Sequence, residues 1–298
     1  MEINSLKIAL RNPKKLITHS KKKVGRLRNS IHGVNILNED WDNLIILDAC
    51  RYDIFDELNY IPGDLEIKFS NASSSDEFME KNLDNKAHGD LVYICANPHI
   101  DNIRASFHEI IRLWETDWNE SKGTVMPSDV VIRVRDNIDK FPNKRIIIHM
   151  MQPHRPFVGP KSNNFEMSGF SRQGVNIPYG SSPEVPFWWD RLRSGEIERE
   201  LVWSMYKDSL DYTLPYIEDL LNLLPGKSVI SADHGNCFGE NNIYGHPSYT
   251  HHPNLLKIPW LTVEKERKNI IWEPPYVRSQ RTHYIEAQDN LKSLGYIQ

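Results

Sequence analysis

Two short apolar runs, each delivering metal-type ligands at its C-terminal end, constrain this chain more than anything else in it. Leu44-Ile45-Ile46-Leu47 runs into Asp48, and Val229-Ile230-Ser231-Ala232 runs into Asp233-His234-Gly235. Both read as buried strands. In open α/β sheets, ligands bind in the crevice beyond the carboxyl ends of the strands. Asp and His placed there suit Mn, Mg, Zn or Ca. Adjacent ligands such as Asp233 and His234 can both reach a metal only where the chain leaves its strand, as it can at Gly235.

The 298 residues suffice for one large domain or two modest ones, and 39% hydrophobic residues with 8 Trp, 12 Tyr and 10 Phe support a substantial core. Mean hydropathy is -0.55, and no apolar stretch reaches the roughly 18 residues that cross a bilayer. Lys and Arg interrupt the N-terminal residues, so no signal-peptide core is seen and a cytoplasmic chain is expected. Cys50, Cys95 and Cys237 have no CxxC spacing and are expected to be reduced, buried thiols. Residues 1–30 carry nine basic residues against Glu2, a net of +8, which leaves -12 on the remainder of a chain whose formal net charge is -4. With Leu6, Ile8, Leu10, Leu16 and Ile17 interleaved, this segment can lie on an anionic membrane surface, be a solvated tail, or pack on the domain. The acidic remainder lacks aromatic–basic interleaving, which argues against nucleic acid.

Strand-like and helix-like segments alternate, which favours an α/β class. The predicted strands are Leu44–Asp48, Glu66–Phe69, Leu91–Ala96, Arg145–His149, Lys227–Ser231 and Ile258–Val263. The predicted helices are Asp76–Asn82, Ile103–Trp114, Pro127–Lys140 and Glu196–Leu224, the last to be kinked or split at Pro215. A basic segment over 1–40 precedes a catalytic domain over 41–265, and a tail over 266–298 ends in a helix around Ile285–Leu294. Within the domain, 153–190 is rich in Pro, Gly, Ser and Asn and carries Phe187-Trp188-Trp189. So long a loop is read as a lid or substrate insertion, with aromatic rings that can stack on sugars.

Asp48 is costly to bury alone, and a cation would resolve that; it can also cap the helix begun by Tyr52–Leu58. Ser74 with Glu77 forms a capping box, which sets a hydroxyl at a helix N-terminus where an anion is favoured. Ser74 is thus the first candidate for attacking group and Ser75 the second. His149 ends an apolar run and is either a substrate contact or a hydrogen-bonded core histidine. His154 sits in a Pro-bounded loop, where it can contact an anion or protonate a leaving oxygen. His246, His251 and His252 follow Asp233-His234. These groups converge on ester chemistry at an anionic centre, where a metal screens charge that a general base alone cannot overcome.

The ordered set Leu47-Asp48-Ala49-Cys50-Arg51-Tyr52-Asp53, Ser74-Ser75-Asp76, Gln152-Pro153-His154-Arg155-Pro156-Phe157, Ser231-Ala232-Asp233-His234-Gly235 and Lys257-Ile258-Pro259-Trp260-Leu261 resembles the alkaline phosphatase/sulfatase superfamily. It resembles more narrowly the sulfatase-like hydrolases and transferases of archaea and bacteria. The resemblance implies a three-layer α/β/α sandwich with a mostly parallel central sheet. It implies Asp48, Ser74, Asp233, His234 and His246 around a divalent cation, Ser74 as nucleophile of a covalent intermediate, and Arg51, His154 and His246 as contacts to the ester oxygens. Neither Cys50 nor Cys95 stands in a Cys-x-Pro-x-Arg frame, so a formylglycine sulfatase is not expected and phosphoester chemistry gains weight. Asp84 and Asp90 match no second-metal acid, so one metal is expected. The implied substrate is a small or glycan- or lipid-linked anionic ester. The alternative is a pseudoenzyme of the same fold that binds an anionic glycan, for which Asn236 after Asp-His-Gly is the one hint.

Overall fold

The computed structural model describes residues 24–31, 33–163, 165 and 188–275. The apolar runs pair as strands because residues apolar on both faces must be covered on both faces. The strands of the main sheet are β1 (Asn43–Asp48), β2 (Asp64–Phe69), β3 (Ala87–Cys95), β4 (Ser106–Arg112), β5 (Arg145–Pro153), β6 (Ser228–Ala232) and β7 (Lys257–Val263). They form a seven-stranded sheet in the order β2-β7-β6-β1-β5-β3-β4. β1 runs parallel to both β5 and β6, while β7 is antiparallel to β6 and β2. All residues of β1 and β6 are buried.

The helices are α1 (24–31), α2 (Tyr52–Leu58), α3 (Ser75–Asn82), α4 (Leu113–Thr116), α5 (Pro127–Asn137), α6 (Trp188–Ser194), α7 (Arg199–Leu223) and α8 (Pro253–Leu256). They flank the sheet in the expected α/β/α arrangement. The apolar spacing of α7 predicts a core-facing stripe of Leu201, Met205, Leu210, Leu214, Ile217 and Leu221; the last five are buried, but Leu201 is exposed and Val202 takes its place in the core. None of the described helices is long and apolar enough to cross a membrane. The three cysteines are free and buried.

One predicted helix is a strand, and one predicted break is absent. Residues 106–112 are not helical but form β4, parallel to β3. Phe107 stacks on His88 at 5.1 Å and leans on Tyr93, so cross-strand packing outweighs the local preference. Pro215 lies inside α7, which runs unbroken across it. The predicted helix at Ile285–Leu294, most of the basic segment and residues 166–187 of the expected lid lie outside the described residues.

Candidate active site

Register brings the two ligand-bearing strands together. β1 and β6 are neighbours with Ile46 opposite Ser231 and Leu47 opposite Ala232, so Asp48 and Asp233 leave the sheet side by side. On the other flank, β5 sets His149 opposite Ile46. Asp48, His149 and Asp233 each offer a ligand atom within 4.8 Å of the others, and all three are buried.

The turn after β1 is held under strain. Ala49 has φ 57°, a left-handed conformation that a non-glycine residue adopts at a cost of order 1 kcal/mol or more. Its N–H donates to Asp233 Oδ1 at 2.9 Å, and its carbonyl accepts from the Tyr206 hydroxyl of α7 at 2.6 Å. That hydroxyl in turn accepts from the Arg51 N–H at 3.0 Å. Tyr206 and Asp233 together latch the turn that presents Asp48.

Asp233 is the hub. Its Oδ1 also accepts from the His234 N–H at 2.8 Å, and its Oδ2 accepts from the Ser75 hydroxyl at 2.7 Å. Burial alone would raise its pKa, but the adjacent His234 and His149 hold it well below the usual carboxylate range. Asp48 goes the other way. Burial and the charge of Asp233 push its carboxyl well up, against a hydrogen bond from Asn97 Nδ2 at 2.8 Å.

The two imidazoles turn their Nε2 atoms toward the acids. His234 Nδ1 faces the Gly235 carbonyl at 2.7 Å. A carbonyl only accepts, so Nδ1 carries the hydrogen, which leaves Nε2 as the ring atom that can face a cation. That Nε2 lies 3.3 Å from Asp233 Oδ2 and 3.9 Å from Asp48 Oδ1. His149 Nδ1 meets the Tyr93 hydroxyl at 2.8 Å, and its Nε2 lies 3.7 Å from Asp233 Oδ2. His149 Nε2 and Asp48 Oδ1 are buried with no hydrogen-bond partner. Buried polar atoms are otherwise nearly always paired, and Asp48, His149 and Asp233 form a group of the kind that can hold a metal ion.

His246 stacks over His234 with ring centroids 4.5 Å apart, and its Nε2 meets His154 Nε2 at 2.8 Å. Burial, with Arg155 nearby, lowers the His154 pKa to about 3. Burial and the neighbouring His234 and His154 place His246 well below the ordinary histidine value. Both rings are therefore neutral at neutral pH. They line one cavity with Asp48, Ser75, Asn97 and His99.

Several sequence expectations are revised here. Ser74 caps α3, with its hydroxyl accepting from the Glu77 N–H at 3.5 Å and donating to Ser248 Oγ at 2.9 Å. The hydroxyl against the acids is that of Ser75, which stands 3.3 Å from His234 Nε2. Asp48 does not cap α2, whose N-cap position is Arg51. Arg51 is not aimed into the cavity. It pairs with Asp53 and Glu240 and lies 4.7 Å above the Trp203 ring. His149 sits among the metal-type ligands rather than along the cavity wall. His251 contacts Asn29, and His252 caps α8 beside Cys237. Trp188 and Trp189 are buried against Phe165 and Phe238, so neither ring offers a face to a sugar; Phe187 lies outside the described residues. Asn97 and His99 escaped notice although they follow β3, a third strand end of the same kind. His99 Nδ1 lies 2.7 Å from Asp76 Oδ1.

No family model matches the chain, and no curated protein matches it. Among solved structures, the integral membrane lipooligosaccharide phosphoethanolamine transferase A of Neisseria meningitidis is similar over 75% of this chain and 47% of that one, at 11% identity and a TM-score of 0.50. The likeness is one of fold. It bears out the fold that the motifs implied. Further similarities are to the C-terminal periplasmic domain of phosphoethanolamine transferase EptC from Campylobacter jejuni and the lipoteichoic acid synthase LtaP of Listeria monocytogenes. The first has 12% identity over 75% of this chain and 78% of that chain, with a TM-score of 0.45. The second has 11% identity over 74% and 64%, with a TM-score of 0.40.

Proposed function

We propose that this chain is a metal-dependent enzyme that breaks a phosphate or sulfate ester, with the Ser75 hydroxyl as attacking group. One observation carries the reading. A hydroxyl in the first turn of α3 donates at 2.7 Å to a buried cluster of two carboxylates and two imidazoles. Asp48, Asp233, His149 and His234 would hold the cation. Bound there, it supplies positive charge that lowers the pKa of a nearby hydroxyl and screens the oxygens of an anionic ester.

The residues of the chain do the rest. Asp233 Oδ2 receives the Ser75 hydrogen bond and so turns the oxygen lone pairs away from the acids. The N-terminal N–H groups of α3 favour an oxyanion. The neutral rings of His154 and His246 contact the non-bridging oxygens without repelling one another. Ser75 Oγ gives its proton to Asp233 Oδ2 and bonds to phosphorus or sulfur as the ester oxygen leaves, and His99, oriented by Asp76, is placed to give that oxygen a proton. Water or an acceptor hydroxyl then takes the group from Ser75. Water gives a hydrolase and an acceptor gives a transferase. The substrate proposed is an anionic ester on a small molecule, a glycan or a lipid head group.

Nitrophenyl phosphate, bis-nitrophenyl phosphate and nitrophenyl sulfate, assayed with Mn, Zn, Mg and Ca, test this. Ser75→Ala is expected to lose more than ~10³-fold in turnover, a loss typical of a covalent nucleophile, while Ser74→Ala keeps it. Turnover surviving Ser75→Ala, or a modified peptide bearing the group on Ser74, would overturn the assignment.

A further inference from the structure

Helix α1 shows two unlike faces. Gly25 meets the Tyr249 carbonyl so closely that a Cβ there would lie 1.9 Å from its oxygen. Asn29 Nδ2 donates to the Thr250 carbonyl at 3.3 Å, and Asn29 Oδ1 meets His251 Nδ1 at 2.9 Å. These two residues seat the helix on the loop that carries His246. The same loop holds the site's helix: Ser248 accepts from Ser74, and the Tyr249 N–H donates to Glu77 Oε2 at 2.9 Å. The other face points to solvent. Val24, Leu27 and Ile31 are 56%, 63% and 65% exposed. At about 100° per residue they share one narrow arc, with exposed Arg28 on its border.

We propose that this face is where the chain lies on an anionic lipid surface. Apolar side chains spaced i, i+3, i+7 beside basic residues make an interfacial helix. Lys21, Lys22 and Lys23 come immediately before Val24 in the sequence, and residues 1–30 hold nine basic residues against one acid. Basic residues next to a buried apolar stripe draw the helix to anionic head groups within about a Debye length. A second copy of the chain suits this face poorly. A two-fold contact would set the same +8 segment against itself, and three side chains fall far short of the roughly 800 Å² per partner of a stable interface. Because α1 rests on the loop bearing His246, lipid contact would bring one wall of the cavity to the head-group layer. The inference leans on the proposed ester chemistry for its purpose, but not for the binding itself.

The test is co-sedimentation of the full chain with phosphatidylglycerol–phosphatidylcholine vesicles and with phosphatidylcholine alone, at low and high salt. Pelleting is expected with the anionic vesicles at low salt, falling with salt and absent with phosphatidylcholine. Leu27→Ser with Ile31→Ser should reduce the bound fraction at least tenfold, and Arg28→Glu should reduce it too, with thermal melts unchanged. Equal pelleting of parent and double variant, or no pelleting of the parent, would overturn the proposal. So would a parent dimer that the double variant turns into a monomer. Vesicle binding is read whether or not any ester is turned over, so the two readings fail separately.

Discussion

Asp48→Asn isolates the electrostatic tension at the centre of the site. Asp48 and Asp233 bring carboxylate oxygens within 4.8 Å of one another, and at an effective dielectric constant of about 20 two full charges at that spacing repel by about 3.5 kcal/mol. Keeping Asp48 protonated at neutral pH instead costs about 4 kcal/mol against an ordinary carboxyl of pKa about 3.9. Either route leaves the metal-free fold carrying roughly 3 kcal/mol that a neutral amide would remove. The amide oxygen keeps the bond from Asn97, and the amide nitrogen can donate toward Asp233. In chelator, Asp48→Asn should therefore melt higher than the parent by about 6 °C, at roughly 2 °C per kcal/mol for a chain of this length. Metal should act in the opposite sense. At a hundredfold excess over Kd it should stabilise the parent by about 2.7 kcal/mol and the variant far less. The pH dependence carries the same signature. An acid with a raised folded pKa stays protonated in the fold above the pH at which the unfolded chain has released its proton. Metal-free parent stability should thus fall as pH rises out of the ordinary carboxylate range, and Asp48→Asn should lack that fall. Calorimetry in chelator and in metal reads all three. A variant that melts at or below the parent in chelator, or keeps the full metal shift, refutes the reasoning.

Tyr206→Phe removes the hydroxyl that bridges the Ala49 carbonyl and the Arg51 N–H; metal affinity measured by calorimetric titration should fall about 10–100-fold, with stability lowered by only about 1–2 kcal/mol. Ser74→Ala should cost about 1 kcal/mol as a lost helix cap, read as a lower melting temperature with turnover retained. His154 is neutral in the fold with a pKa of about 3 against an ordinary 6.5, so its stabilising effect is complete above about 6.5 and is lost as pH falls. Comparing parent and His154→Gln in chelator at pH about 5 should show about 2 kcal/mol of acid destabilisation in the parent that the variant lacks.

The strands were legible because burial on both faces leaves a continuous apolar run, and the ligands at Asp48 and Asp233 were legible because they end such runs. Residues 106–112 were not, since an edge strand with mixed exposure has no pattern of its own and takes its form from β3. Ser74 and Ser75 could not be told apart from sequence. The choice depends on which one occupies the cap, and the capping hydroxyl is turned toward Ser248 rather than the acids. Arg51 was misjudged because its partner Glu240 lies 189 residues away. Tyr206 reaches Ala49 across 157 residues, and no local spacing announces such a contact. Asn97 and His99 could have been found by asking of β3 what was asked of β1 and β6.

The strand order has a consequence for how the molecule is made. Of the seven strands of this sheet β1 is the first to be synthesised, yet it lies at the middle of the sheet between β5 and β6. Its first partner begins at Arg145 and its second at Ser228. At a synthesis rate of about 5–20 residues per second, this apolar segment of the nascent chain waits many seconds for its neighbours. Growing chains arrested before Ser228 should therefore need chaperones, and the site is among the last parts of the polypeptide to take shape.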